Sequence, residues 1–228
     1  IVSGDYSQIE LRLLAHLSQD PTMIDGFKKG QDIHRRTASE VFGIPLDDVT
    51  SEQRSHAKAV NFGIIYGISD FGLARNISIS RKQAKEYIES YFARYNCVHG
   101  YMEKLVSEAR ESGMTHTMFG RIRALPEINS KNFTRRSFAE RTAMNTPIQG
   151  SAADIIKLAM NAVQDELEQR GLRSRILVQV HDELVLEVPE AEKAEVERLL
   201  KDTMEHIVEL SVPLVVDIHS GSNWEEAK

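Results

Sequence analysis

Apolar positions recur with two different periods along this chain of 228 residues. Residues 1–6 read as a short strand that runs straight into a helix over 8–18, where Ile9, Leu13 and Leu17 recur every four residues with Leu14 beside them. Asp20-Pro21 opens a short helix, and 32–42 reads as another. Thr50 with Gln53 three residues later forms a capping-box pattern for a helix of about 15 residues. Residues 81–95 and 98–112 predict a helical hairpin, and 114–125 predict two short strands around Gly120. A helix follows at 131–146, and Pro147, which has no N–H to donate, is expected to interrupt it. A long amphipathic helix then runs from 148 to 169, with Ile148, Ala152, Ile156, Ala159 and Val163 on one stripe. The last third holds apolar β runs at 175–181 and 184–188 around a polar turn, a helix at 191–208 and a strand at 214–219. Strands at both ends with helices in the middle predict a discontinuous α+β domain carrying a helical insertion.

Composition narrows the class. With 41% hydrophobic and 27% charged residues the chain can bury one substantial core or two modest ones, and it is too apolar for intrinsic disorder. Its single cysteine, Cys97, excludes an internal disulfide framework and a multi-cysteine zinc site. No apolar run approaches the ~20 residues that cross a bilayer. Asp5, Glu10 and Arg12 lie where a signal peptide would be uncharged and apolar. A cytoplasmic protein without membrane contact is expected. The net charge of −6 argues against a polyanionic partner only on average. Residues 114–153 hold six Lys/Arg against two acids, whereas 182–210 hold ten acids against three Lys/Arg. A basic face can hold a polyanion whatever the total, and solvated helix faces are the plainer alternative.

Four groups of residues could carry chemistry. Asp5, at the end of an apolar strand with a helix two residues on, can be held rigidly with its oxygens open, or can simply cap the helix. His181-Asp182-Glu183 sits at the turn between two apolar strands without a glycine or asparagine to ease it. Ordinary loop polarity is one reading. The other places Asp182 beside Asp5 on a neighbouring strand, where two close carboxylates repel unless cations lie between them. Oxygen ligands suit magnesium, and two such ions can clamp the attacking and leaving oxygens of a phosphoryl transfer. The third group, Arg54, Lys58, Phe62 and Tyr66, recurs every four residues and forms one slowly drifting row on a helix. Two cations suit a polyphosphate and two aromatics suit a sugar or base face, so such a helix could hold a nucleotide lengthwise. The alternative is an amphipathic helix whose cations face water and whose aromatics face the core. The fourth group is Arg141, Asn145 and Gln149, a row of donors fitted to minor-groove acceptors or to plain solvent.

Together these segments resemble the C-terminal palm and fingers portion of the bacterial family A DNA polymerases. Asp5-Tyr6-Ser7-Gln8-Ile9-Glu10-Leu11-Arg12 is similar to that family's motif A. Arg54, Lys58, Phe62-Gly63 and Tyr66-Gly67 match motif B, and Val180-His181-Asp182-Glu183 matches motif C, all in the family's order. The resemblance implies an α+β palm with a small antiparallel sheet backed by helices, and a mainly helical fingers subdomain inserted in it. The palm would comprise 1–30 and 140–228, the fingers 31–139. It implies that Asp5, Asp182 and the Tyr6 carbonyl bind two Mg2+ ions, with Glu183 near the primer end. Arg54, Lys58, His34 and Gln8 would hold the triphosphate, Lys58 also protonating the pyrophosphate. Phe62 would pack on the incoming nucleotide, Tyr66 would stand at the template position, and Glu10 would exclude a ribose 2′-hydroxyl. Arg141, Asn145, Gln149 and His181 would contact the primer–template minor groove. The implied partners are primer–template DNA and a dNTP, acted on by a monomer in the bacterial nucleoid. An absent thumb and further N-terminal domains are expected upstream in the same parent chain.

Other readings have weaker support. An HD-type metal phosphohydrolase carries its His-Asp pair on a helix, whereas His181-Asp182 lies between β runs. A single-subunit RNA polymerase has a similar motif layout but not Glu10. A non-catalytic DNA-binding remnant has no need of both Asp5 and Asp182.

Overall fold

A computed structural model describes residues 1–227. In chain order its elements are strand β1 (Val2–Tyr6), helices α1 (Ile9–Ser18), α2 (Pro21–Lys28), α3 (Ile33–Phe42), α4 (Ser51–Ile65), α5 (Asp70–Asn76), α6 (Arg81–Arg94) and α7 (Asn96–Ser112), then strands β2 (Met114–His116) and β3 (Ile122–Ala124). Helix α8 (Phe133–Gln169), strands β4 (Arg175–Val180) and β5 (Glu183–Glu187), helix α9 (Lys193–Glu205) and strand β6 (Val216–Ser220) complete it. The class is α+β with small antiparallel sheets. The chain divides into two compact units, one formed by 1–9 with 151–228 and the other by 10–150. The first of these units is discontinuous in sequence.

The discontinuous unit is built on a four-stranded antiparallel sheet in the order β4-β5-β1-β6. β1 thus lies between strands that come from the far end of the chain. Helix α9 packs on β1 and β6. Gly4 makes this possible: a Cβ there would stand 2.9 Å from Leu200 Cδ2 and 3.1 Å from Met204 Sδ. Tyr6 is buried, and its hydroxyl donates to the Met204 carbonyl at 2.7 Å.

In the helical unit, local signals set the boundaries. Asp20 caps α2 and Asp32 caps α3, each through Oδ1 to two backbone N–H groups. The expected capping box of α4 is formed, with Thr50 Oγ1 accepting from the Gln53 N–H at 3.2 Å and the Gln53 side chain accepting from the Thr50 N–H at 2.9 Å. Ser69 caps α5, an element that the sequence pattern did not indicate. Only Tyr95 separates α6 from α7, so the second helix of the hairpin begins two residues before the expected 98.

The break expected at Pro147 does not occur: α8 runs through it as one helix of 37 residues. The proline leaves the Ala143 carbonyl without its usual N–H donor. The Thr115 hydroxyl supplies another, donating to that carbonyl at 3.4 Å. The orphaned acceptor is thus satisfied from β2, and the helix continues.

Candidate active site

In the sheet-bearing unit the register brings the acids together. Asp5 pairs directly with Glu183 on one side and with Asp217 on the other. Directly opposed residues of antiparallel strands share a face, so three carboxylates form a row across β5, β1 and β6. Asp182 stands one residue before β5, where its carbonyl accepts from the Tyr6 N–H at 3.2 Å. The Asp5 and Asp182 carboxyl groups are close enough to influence each other's ionisation. Asp5 therefore lies in the strand beside its partner acid rather than acting as a helix cap.

The turns that position these acids are strained. A two-residue connection joins β4 to β5, and its first residue, His181, adopts φ 53°. That is where such a turn ordinarily places glycine, and a side chain there costs ~1 kcal/mol or more. Gln179 Nε2 holds the strained residue by donating to the His181 carbonyl at 2.6 Å. Gln8, in the turn from β1 to α1, has φ 57°. Both turns that flank the acid pair thus use left-handed backbone without glycine, a feature common where structure is bent to function.

The electrostatics follow from crowding. Burial, then the charges of Asp182, Glu183 and Asp217, push the Asp5 carboxyl up to about 6. Asp182 is also raised, mainly by burial, while its backbone contact, His181 and the neighbouring Asp5 pull it back. Crowding thus favours a proton on Asp5 more than on a free carboxylate. Such a site gains when a cation replaces that proton. The donors are hard oxygens, and among the described residues no group of three or more His, Cys, Asp or Glu side chains converges to enclose a metal. An open pair of carboxylates suits magnesium, which keeps water and substrate oxygens in its shell, and does not suit zinc.

In the helical unit, α4 separates its two faces. Ala57, Val60, Asn61, Ile64 and Ile65 are buried. Arg54 and Phe62 are half-buried, Lys58 is exposed and Tyr66 is 44% exposed. The cationic–aromatic row is thus the accessible face, and the aromatics do not serve as core. Arg54 Nε donates to Asp32 Oδ2 at 2.6 Å, the same carboxylate that caps α3. Tyr66 Oη donates to Glu10 Oε2 at 2.8 Å. A cavity of about 560 Å3 runs along the aromatic end, lined by Phe62, Tyr66, Gly67, Ser137 and Arg141 among others. Gly67 has φ 63°, and a Cβ there would meet Met144 Cε at 2.6 Å and Arg141 Cγ at 2.8 Å.

His34 is less open than its expected role suggests. It is 2% exposed, and its Nδ1 faces Asn61 Nδ2 at 3.1 Å, which requires Nδ1 to accept. Burial lowers it to about 4; Arg54 and Lys58 push the same way and Asp32 opposes them. The ring is therefore neutral at pH 7 and packs at a tilt on Phe62, with centroids 5.8 Å apart. Arg141, Asn145 and Gln149 form the expected row on α8: two half-buried residues, then an exposed one. Arg141 Nη1 donates to Ser137 Oγ at 2.9 Å, and Asn145 Nδ2 is buried without a hydrogen-bond partner. Among the described residues no helix is long and apolar enough to cross a membrane.

Asp217 is the residue that sequence reasoning missed. Its strand is legible, but nothing local says that β6 lies against β1.

Comparison with known proteins agrees with the motifs. The family described as DNA polymerase family A matches residues 1–226. DNA polymerase I of Streptococcus pneumoniae is 56% identical over 229 residues, covering 100% of this chain and 26% of that protein. DNA polymerase I of Geobacillus stearothermophilus is 54% identical over 228 residues, with the same coverage. The POL domain of Pol1 from M. smegmatis, solved in complex with DNA primer-template and dNTP, superposes with a TM-score of 0.95 at 48% identity, covering 99% of this chain and 40% of that one. The chain thus spans about a quarter of the length of the curated relatives it matches.

Proposed function

The chain belongs to DNA polymerase family A, and from that premise we propose that it carries out template-directed DNA synthesis, adding a deoxynucleotide to a primer 3′-hydroxyl and releasing pyrophosphate. The observation that carries this reading is the juxtaposition of Asp5 and Asp182, which the β1–β5 register and the Tyr6 N–H to Asp182 carbonyl bond bring to adjoining strand positions. In the reaction the primer 3′-oxygen attacks the α-phosphorus, the bond to pyrophosphate breaks and the hydroxyl loses its proton. Asp5, Asp182 and the Tyr6 carbonyl would hold two magnesium ions. When bound, those ions supply the positive charge that stabilises the attacking and leaving oxygens.

The chain's own residues do the rest by positioning and charge. Arg54 leaves Asp32 to fork onto the triphosphate, and Lys58 adds a point charge and gives pyrophosphate its proton. Gln8 and the neutral His34 contribute as hydrogen-bond partners rather than as cations. Phe62 packs on the incoming sugar and base. Glu10, held by Tyr66, fills the space a 2′-hydroxyl needs, and Tyr66 marks the template position. Glu183 orients the primer end. Arg141, Asn145 and Gln149 on α8, and His181 on its strained turn, donate to minor-groove acceptors of the primer–template duplex. The palm is read as 1–30 and 140–228, segments that contain the four-stranded sheet, and the fingers as 31–139.

The test is primer extension with Asp182→Ala. Extension of a labelled primer in magnesium is expected to fall below detection while primer–template affinity stays within about twofold, because the variant removes a carboxylate and no DNA-facing donor. Extension at the parent rate would remove the acid pair from the chemistry.

A further inference from the structure

Glu183 is held by a residue outside all three motifs. Its Oε1 accepts from Trp224 Nε1 at 2.9 Å. The register places Glu183 directly opposite Asp5, so the carboxylate that the indole grips belongs to the acidic row. The indole is a donor only, and a hydrogen bond to an ionised carboxylate is about twice as strong as a neutral one. A glutamate is otherwise free to rotate about three side-chain bonds, and fixing one of its oxygens fixes where the other points.

The segment that presents Trp224 is a built turn. Glu226 accepts from the Ser222 N–H at 2.9 Å, from Ser222 Oγ at 2.6 Å and from Asn223 Nδ2 at 2.9 Å. Asn223 Oδ1 in return accepts from the Glu226 N–H at 3.0 Å. Gly221 lets the turn close, since a Cβ there would stand 2.4 Å from Glu226 Cβ. The turn is also tied to the strand of the acids: Ser3 Oγ, buried, donates to the Ala227 carbonyl at 2.6 Å. Ser3 lies two residues before Asp5 and so on the same face of β1.

We propose that Trp224 is a positioning residue for Glu183: the 221–227 turn, anchored through Ser3, aims the indole N–H so that the Glu183 carboxylate stays oriented along the Asp5 face. The proposal rests on the polymerase reading for its catalytic consequence and on the hydrogen bond alone for its structural one.

Two arms keep these apart. Trp224 is the single tryptophan of the chain, so its indole 15N–1H signal reports this contact without interference. That signal is expected to move in Glu183→Gln. It is also expected to move when magnesium is added to the parent chain and to stay fixed when magnesium is added to Asp182→Asn. In primer extension, Trp224→Phe is expected to lower kcat about 10–100-fold with KM for dNTP within about twofold, the scale of a misplaced group. Trp224→His, which keeps a ring N–H, is expected to recover part of that loss, and all variants should keep the parent's denaturant midpoint because the indole is 37% exposed. An indole signal indifferent to Glu183→Gln overturns the proposal, and so does full kcat in Trp224→Phe. If the parent chain extends no primer, the polymerase reading falls, and a signal that then ignores magnesium takes the positioning role with it.

Discussion

Tyr66 donates its hydroxyl hydrogen bond to Glu10 across 56 residues of sequence, joining the C-terminal end of α4 to the start of α1. The contact helps to hold the Glu10 carboxylate in place. If this carboxylate fills the space beside the sugar 2′-position, Glu10→Ala should raise the ratio of ribonucleotide to deoxynucleotide incorporation by about 10²-fold, the scale on which a shaped pocket rejects an added hydroxyl. Tyr66→Phe keeps the carboxylate and loses only its tether, so its effect on that ratio should be smaller. Competition assays with matched rNTP and dNTP read both; equal effects would show that Tyr66 itself is the barrier.

Arg54 is paired with Asp32, which also caps α3. Asp32→Asn keeps an oxygen for the cap and removes the charge that competes with a triphosphate. The pair is partly exposed, so stability should change by less than about 1 kcal/mol. The KM for dNTP should fall severalfold, measured in steady-state extension. An increased KM would mean that Asp32 orients Arg54 rather than competing for it.

Two groups give the fold opposite pH dependences. His34 is lowered from 6.5 to about 4, so below pH 6.5 the unfolded chain binds a proton that the folded chain refuses. Its contribution to stability is complete above pH 6.5 and is lost as the pH falls toward 4. Asp5 is raised from 3.8 to about 6, so the folded chain binds the extra proton and gains as the pH falls through the same window. The parent profile is therefore flatter than either group alone would make it. Denaturant unfolding without divalent cations should show the stability margin of the parent over His34→Gln shrinking by about 2 kcal/mol between pH 7 and pH 5. The margin over Asp5→Asn should move the other way. A margin over His34→Gln that does not vary with pH would mean that the buried imidazole titrates normally.

Pro147 and Thr115 form a compensating pair through the Ala143 carbonyl. Thr115→Val should cost about 0.5–1.5 kcal/mol in the parent. In a Pro147→Ala background, where the helix supplies its own N–H, the same change should cost less. A double-mutant cycle by urea unfolding reads the difference as a coupling of about 0.5–1 kcal/mol. Strict additivity would leave the unbroken helix without this explanation.

What could be read from the sequence follows the range of the interaction. The Thr50–Gln53 capping box and the row Arg54, Lys58, Phe62 and Tyr66 are set within a few turns of helix, and both were legible. Asp5 and Asp182 could be read as strand-end acids, but their adjacency depends on β1 pairing with β5, which no local pattern encodes. The unbroken α8 was misread because the donor that rescues it lies 28 residues away. Burial of His34 against Asn61, the flanking Asp217 and the Trp224 contact escaped for the same reason. The positive φ at His181 was half visible: the missing turn glycine could be seen, but not that the histidine itself would take its backbone conformation.

Gly4 has a consequence for genetics. Because it bares the backbone one residue before Asp5, Leu200 and Met204 of α9 form the floor under that strand. Lesions in a helix with no chemical duty can therefore tilt the acid without unfolding the chain. Conditional alleles that map to Leu200 or Met204 should look like defects in cation use, and extra magnesium should partly suppress them.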